Sequence, residues 1–178
     1  LTLESVNAED SSIYLSYLFF TNVSGTYSAG SYNGVPDTLT SITITGGTRI
    51  PANAFNGMKK VTTITLPDTI ESIGNYAFYN CSALESSSTL LGNKLVSIGN
   101  YAFSGCSSAK FDNVQFPASL KTIGNYAFNA CSGLTSTTVP GNVSSIGEYA
   151  FKSCTGLKSA VICDGVGSLN KGVFSSCT

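Results

Sequence analysis

Ile73-Gly-Asn-Tyr-Ala-Phe78 recurs unchanged at Ile98–Phe103 and Ile123–Phe128, and in weaker form at Ile50–Phe55 (IPANAF), Ile146–Phe151 (IGEYAF) and Leu169–Phe174 (LNKGVF). Successive starts lie 23, 25, 25, 23 and 23 residues apart. A near-constant period of this size is the signature of a solenoid, in which each repeat is one coil that buries its apolar face only by stacking on the next. Aligned on the isoleucine, the unit continues outward in both directions. Upstream, Val61-Thr-Thr-Ile-Thr-Leu66-Pro67 alternates apolar and β-branched polar residues and predicts a short strand. Pro67, Pro117 and Pro140 share one position and end that strand by removing a ladder donor. Gly74, Gly99, Gly124 and Gly147 share the next marked position, which calls for a special backbone conformation or a close approach. Downstream, Tyr-Ala-Phe is too short for a stable helix and too regular for an open loop, so a 3₁₀ or single helical turn is expected.

Stacking converts each position into a ladder. The apolar ladders are Ile50, Ile73, Ile98, Ile123, Ile146, Leu169 and Phe55, Phe78, Phe103, Phe128, Phe151, Phe174. The expected fold class is therefore an α/β repeat protein. It is a solenoid of about six coils, with a short-strand parallel sheet on one side and 3₁₀ or short helical turns on the other. Residues 39–178 form the array, and residues 1–38 form an N-terminal cap segment over the first coil, whose edge would otherwise stay open. The two extra residues of the longer units fall near Ser86–Ser88 and Ser107–Lys110, where bulges are expected.

Bulk properties narrow the function. Charged residues make up 11% of the 178, against ~25% in an average soluble domain. Ser, Thr and Gly carry the polarity instead, and the net charge is −1. A nucleic-acid partner would require a basic stripe, and none is present. No apolar run approaches the ~20 residues of a membrane span, so membrane insertion is not expected; Ile13–Phe20 is short and suits an amphipathic cap. The chain opens on Leu1 and stops just after Phe174-Ser-Ser-Cys177, inside a repeat unit. Both ends read as those of a segment from a longer parent.

The repeat resembles the BspA-like, or treponemal-type, leucine-rich repeat of bacterial surface proteins, with the match running over residues 39–178. Gly92 and Cys163 depart from it at the proline position, and Met58 departs at the cysteine position. The resemblance implies a curved leucine-rich-repeat solenoid on an extracellular or cell-surface bacterial protein, often adhesive, with no catalytic residues.

Cys81, Cys106, Cys131, Cys154 and Cys177 occupy one column, while Cys163 stands at a strand end. Close Cys pairs and histidine are both absent, which excludes an ordinary zinc site. Met58 in the same column points to a small, soft apolar slot and to buried free thiols. A bridge from Cys163 to Cys154 or Cys177 is the one disulfide left open. Without histidine, no Ser–His or Cys–His nucleophile can be assembled. Glu71, Asp112, Glu148 and Asp164 fall at different repeat positions, so no carboxylate pair is lined up. The expectation is a non-enzymatic module without cofactor or metal.

Binding is the remaining function, with an extracellular protein or glycan as ligand. The outward column of the predicted strand is Thr43, Thr65, Leu90, Gln115, Thr138, Val161, flanked two residues earlier by Ser41, Thr63, Ser88, Asn113, Ser136, Ser159. Both are small and uncharged, and Leu90, Gln115 and Val161 break the regular pattern. The Tyr76, Tyr101, Tyr126, Tyr149 column is expected to pack on itself with hydroxyls at the surface. Asn75, Asn100 and Asn125 precede it at a position expected to be exposed and weakly constrained. The competing expectation is a structural spacer that presents a separate catalytic or anchoring domain.

Overall fold

The computed structural model describes residues 2–3, 38–85, 91–108 and 111–178. Its strands are β1 (Thr2–Leu3), β2 (Ser41–Ile44), β3 (Arg49–Ile50), β4 (Thr63–Thr65), β5 (Ser72–Ile73), β6 (Ser97–Ile98), β7 (Asn113–Gln115), β8 (Thr122–Ile123), β9 (Ser136–Val139), β10 (Ser145–Ile146) and β11 (Ser159–Ile162). All pair in parallel with the equivalent residues of a neighbouring coil, for example Ile73 with Ile98 and Thr138 with Val161. The expected α/β character and one-sided sheet are not what forms. Each coil contributes two strands to two separate ladders. One runs β1-β2-β4 and β7-β9-β11; the other runs β3-β5-β6-β8-β10. The array makes about five turns rather than six, because Leu169 adds only an isolated bridge to Ile146. The strand expected at Leu90 and the bulges expected at 86–88 and 109–110 lie outside the described residues. So does most of the 1–38 segment; within it, β1 pairs Thr2 with Thr43 and Leu3 with Ile44.

The second correction concerns the turns. No helix forms among the described residues. In Gly74–Cys81 the backbone donors alternate in direction. The amides of Tyr76, Phe78 and Asn80 bond carbonyls of the next coil, those of Asn100, Ala102 and Ser104, at 2.7–2.9 Å. Those of Ala77, Tyr79 and Cys81 close local turns onto Gly74, Tyr76 and Phe78. Tyr76 (φ 57°) and Asn80 (φ 55°) are left-handed, which no right-handed helix accommodates. Each coil repeats the pair, at Tyr101 and Gly105, Tyr126 and Ala130, Tyr149 and Ser153. The segment is thus a run of β-turns with positive φ at the third position, as in a type II turn. Inter-coil hydrogen bonds displace the helix that local spacing suggested.

The core is one continuous stack. Phe55, Phe78, Phe103, Phe128 and Phe151 are fully buried and lie ring over ring at 4.8–5.2 Å. The isoleucine ladder is buried beside them down to Ile146, whereas Leu169, on the last rung, is 56% exposed. Phe111 and Phe116 fill the flank of the stack against Phe103, Phe128 and Phe151.

One core position breaks the chemistry. Thr137 points inward on β9, opposite Val114 and Ala160, and its buried Oγ1 has no hydrogen-bond partner. A buried hydroxyl without a partner costs about 1–3 kcal/mol of desolvation. Thr137→Val keeps the shape and removes the hydroxyl, so it is expected to stabilise the array by about 1–2 kcal/mol. A rise in the urea midpoint at unchanged slope checks this, and a fall would mean that the hydroxyl is satisfied in solution.

Candidate functional site

The cysteine column is structural. Cys81, Cys106, Cys131 and Cys154 are buried, and all six cysteines are free thiols. Each thiol of the column donates to the carbonyl of the phenylalanine one coil back: Cys81 to Phe55, Cys106 to Phe78, Cys131 to Phe103, Cys154 to Phe128 and Cys177 to Phe151, at 3.0–3.2 Å. Burial pushes the Cys81 thiol up to about 12 and Cys106 well above the ordinary thiol range. Cys81 and Cys106 are therefore protonated and inert at neutral pH. Cys163 is half-buried and unbridged. Among the described residues no group of ligating side chains could hold a metal. No long apolar helix suited to a membrane span is present among them either.

The first ladder carries the column singled out from the sequence. The burial pattern of β2, exposed at Ser41, buried at Ile42, half-buried at Thr43 and buried at Ile44, obeys strict alternation. The flanking column therefore shares the outward face. Thr43 sits opposite Thr65, and Gln115, Thr138 and Val161 stand in register. The structure thus assembles two parts of the column, while Leu90 and its flanking Ser88 lie outside the described residues. Gln115 and Thr138 are exposed, Val161 is 49% exposed, and Thr65 is half-buried. The alternation that predicted this face is a property of any strand, so the positions of these residues were readable from the sequence.

The tyrosines pack on themselves as expected. Tyr76, Tyr101, Tyr126 and Tyr149 stack at 4.8–5.0 Å between centroids. Lys152 Nζ lies 5.2 Å from the Tyr149 ring centre. Partial desolvation, then repulsion from Tyr126, Tyr76 and Tyr79, raises the pKa of Tyr101. Ring faces inside the stack are covered by each other.

The asparagine column is the residue set that sequence reasoning undervalued. Asn75, Asn100 and Asn125 are exposed but not weakly constrained. Asn75 Oδ1 accepts from the Asn100 amide, Asn100 Oδ1 from the Asn125 amide and Asn125 Oδ1 from the Glu148 amide, each at 2.8 Å. Repetition of Asn at one position was the available signal; a merely exposed site would have varied as freely as a loop does. Beside this column a groove of about 570 Å³ runs over four coils of the second ladder. Arg49, Ser72, Ser97, Thr122, Asn75 and Asn100 are among the residues that line it.

A family model described as BspA type leucine rich repeat region matches in six copies over residues 26–110 and 48–178. The solved structure of the T. pallidum leucine rich repeat protein is 29% identical, with a TM-score of 0.69, over 78% of this chain and 66% of its own. A leucine-rich repeat protein from Bacteroides ovatus is 27% identical, with a TM-score of 0.53, over 71% of this chain and 38% of its own. A leucine rich cell surface protein from Faecalibacterium prausnitzii shares the fold at 24% identity and a TM-score of 0.54, over 71% and 39%. The chain thus spans 66% or less of each of these structures. No curated protein matches it. The chain belongs to the BspA-type leucine-rich repeat family.

Proposed function

We propose that the chain is a non-enzymatic protein-binding or adhesion module of a secreted or cell-surface bacterial protein. The observation that carries this reading is a rigid parallel ladder whose outward residues are uncharged and not needed by the core. Such a face costs little ordering on association. The family supports a binding scaffold, and the surface location is supported by a structural relative described as a cell surface protein. The proposed contact residues are Thr43, Thr65, Leu90, Gln115, Thr138 and Val161, with residues 39–178 as the binding array and 1–38 as its cap. A spacer role is the competing reading. It is favoured by the lack of Trp, Tyr or Arg in that column, the residues that dominate strong interfaces.

The test is an array of purified extracellular proteins, followed by substitution of the captured ligand's contacts. Thr65→Lys, Gln115→Lys and Thr138→Lys together are expected to abolish capture, while wild-type capture varies little with salt because few charges take part. Ser82→Lys, Ser107→Lys and Ser132→Lys, exposed turn positions after the cysteine column, are the matched control. Loss of capture in the control set alone would move the surface to the turns. An array without a hit favours the spacer. The asparagine positions do not serve as controls, because lysine there would break the inter-coil bonds of their Oδ1 atoms.

A further inference from the structure

We infer that Cys154 and Cys177 form a redox pair, closed to a disulfide by a low-molecular-weight disulfide oxidant, and that the closed bridge staples the last coil to the array. The two residues occupy adjacent rungs of one column. Rungs lie one coil apart, at the ~4.8 Å separation of paired parallel strands, and three residues earlier Phe151 and Phe174 stack at 5.4 Å. A disulfide spans Cα separations of roughly 4.4–6.8 Å, so the rung spacing suits one. Direction is met as well. Cys154 donates to the Phe128 carbonyl and Cys177 to the Phe151 carbonyl, each at 3.1 Å, so the two side chains leave the backbone in the same sense. Phe151 O also accepts from the Cys154 amide at 3.4 Å. The Cys177 sulfur therefore sits over the turn that holds Cys154.

Access selects this pair among the rungs. Cys81, Cys106, Cys131 and Cys154 are buried, whereas Cys177 is half-buried, so an oxidant reaches the column at Cys177. Cys163 is half-buried too, but it stands in another column. It takes the position of Pro140, its amide bonds the Val139 carbonyl at 3.0 Å, and its Cβ lies 3.8 Å from where a Cβ on Gly141 would stand. Register thus moves the disulfide left open for Cys163 into the cysteine column itself. The last coil is also the loosely held one, since Leu169 makes only an isolated bridge and is 56% exposed. A coil with few contacts opens locally at lower cost than the interior. Such opening lets the buried Cys154 meet Cys177, and a cross-link then restricts the open state.

The electrons go to the oxidant. With glutathione disulfide, the Cys177 thiolate attacks one sulfur, the S–S bond breaks, and one glutathione leaves with the Cys177 proton. The Cys154 thiolate then attacks the Cys177 sulfur of the mixed disulfide, and the second glutathione leaves with the Cys154 proton. Two protein thiols are oxidised and one glutathione disulfide is reduced to two thiols. The thiol-to-carbonyl bonds of both residues are lost, a small loss because S–H is a weak donor. Oxidising surroundings outside a cell favour the closed form, and a reducing cytosol favours the open one. The pair needs no contact of the first ladder, so it stands or falls apart from the binding face.

The experiment incubates the whole chain with glutathione disulfide at low protein concentration, followed by acid quench, denaturation, alkylation and non-reducing tryptic mass mapping. Residues 153–158 are expected to be joined to residues 172–178 by one disulfide, with the other four of the six cysteines alkylated. Lys158 and Lys171 are exposed within the stapled loop. Native tryptic cleavage after them, read on reduced samples, is expected to slow by roughly tenfold once the bridge has formed. Cys163→Ser is expected to leave both results unchanged. Cys177→Ser, at a half-buried position on the last rung, is expected to keep the fold and lose both. Six free thiols after incubation, glutathione held on Cys177 without a bridge, a bridge that includes Cys163, dimers joined through Cys177, or equal cleavage rates before and after bridging would each overturn the inference.

Discussion

Gly124→Ala is expected to destabilise the array by at least about 3 kcal/mol, at the severe end of overpacking, and to lower its melting temperature by roughly 10 °C. A Cβ at that position would lie 2.5 Å from Gly99 C, 2.6 Å from the Asn100 amide nitrogen and 2.7 Å from Asn100 Oδ1. The obstacle is the backbone of the preceding coil, which cannot swing aside as a side chain would. Gly124 has no left-handed φ, so close approach, not conformation, is what requires glycine here. Relief means parting the coils, and parting them stretches the Gly124 to Ile98 and Tyr101 to Asn125 backbone bonds, both at 2.9 Å. In a solenoid each coil is held only by its neighbours, so a wedge in the middle weakens both halves. Gly92→Ala supplies the contrast, because its Cβ would meet nothing closer than Asp68 Cα at 3.4 Å. That change is expected to alter stability by less than about 1 kcal/mol, in either direction. Thermal melts of the two variants, followed by circular dichroism, give the comparison; equal melting temperatures would refute the wedge.

The same glycine column shows how far the sequence carries. Its recurrence required either a special conformation or a close approach, and the alternatives separate only when the distance between coils is known. The isoleucine and phenylalanine ladders follow directly from the repeat, since a residue held at one position in every coil must stack on its own copies. The second sheet was not legible, because Ser72–Ile73 and its equivalents are two-residue strands with no room for alternation to declare itself. Their strand character arises from pairing with neighbouring coils, a tertiary effect. The left-handed tyrosines were hidden for a related reason. Tyrosine has no preference for positive φ, so nothing local marks Tyr76, Tyr101, Tyr126 or Tyr149, and the conformation is imposed by their amides bonding outward. At the equivalent position before the cysteine, Gly57, Asn80 and Gly105 do carry a local signal, since Gly and Asn favour that region. Of the candidate surfaces, the strand face followed from alternation alone. The asparagine column required knowing that each Oδ1 accepts from a backbone amide of the next coil.

The phenylalanine ladder makes the other large effect. Phe103 is fully buried, stacked on Phe78 at 4.8 Å and on Phe128 at 5.1 Å, with Phe111 tilted against it at 5.9 Å. Truncating a buried phenylalanine to alanine costs about 3–5 kcal/mol in lost transfer energy and residual cavity. Two stacked partners are lost as well, each worth about 0.5–1.5 kcal/mol beyond burial. Phe103→Ala is therefore expected to cost about 4–8 kcal/mol, a large share of the roughly 5–15 kcal/mol that holds an ordinary domain together. Collapse of the cavity is resisted because the coils above and below are pinned by backbone bonds, Phe78 to Ala102 and Phe103 to Ala127, both at 2.7 Å. Phe174 is the internal contrast, half-buried at the last rung with one stacked partner, Phe151, at 5.4 Å. Phe174→Ala leaves an open notch and not a sealed cavity, and is expected to cost about 1–2 kcal/mol. Phe103→Leu, which refills much of the volume but stacks on neither neighbour, should fall between them. Urea midpoints at constant slope give the three values. A cost for Phe103→Ala no greater than that for Phe174→Ala would mean that the ladder is held by its backbone bonds, with the rings only filling space between them.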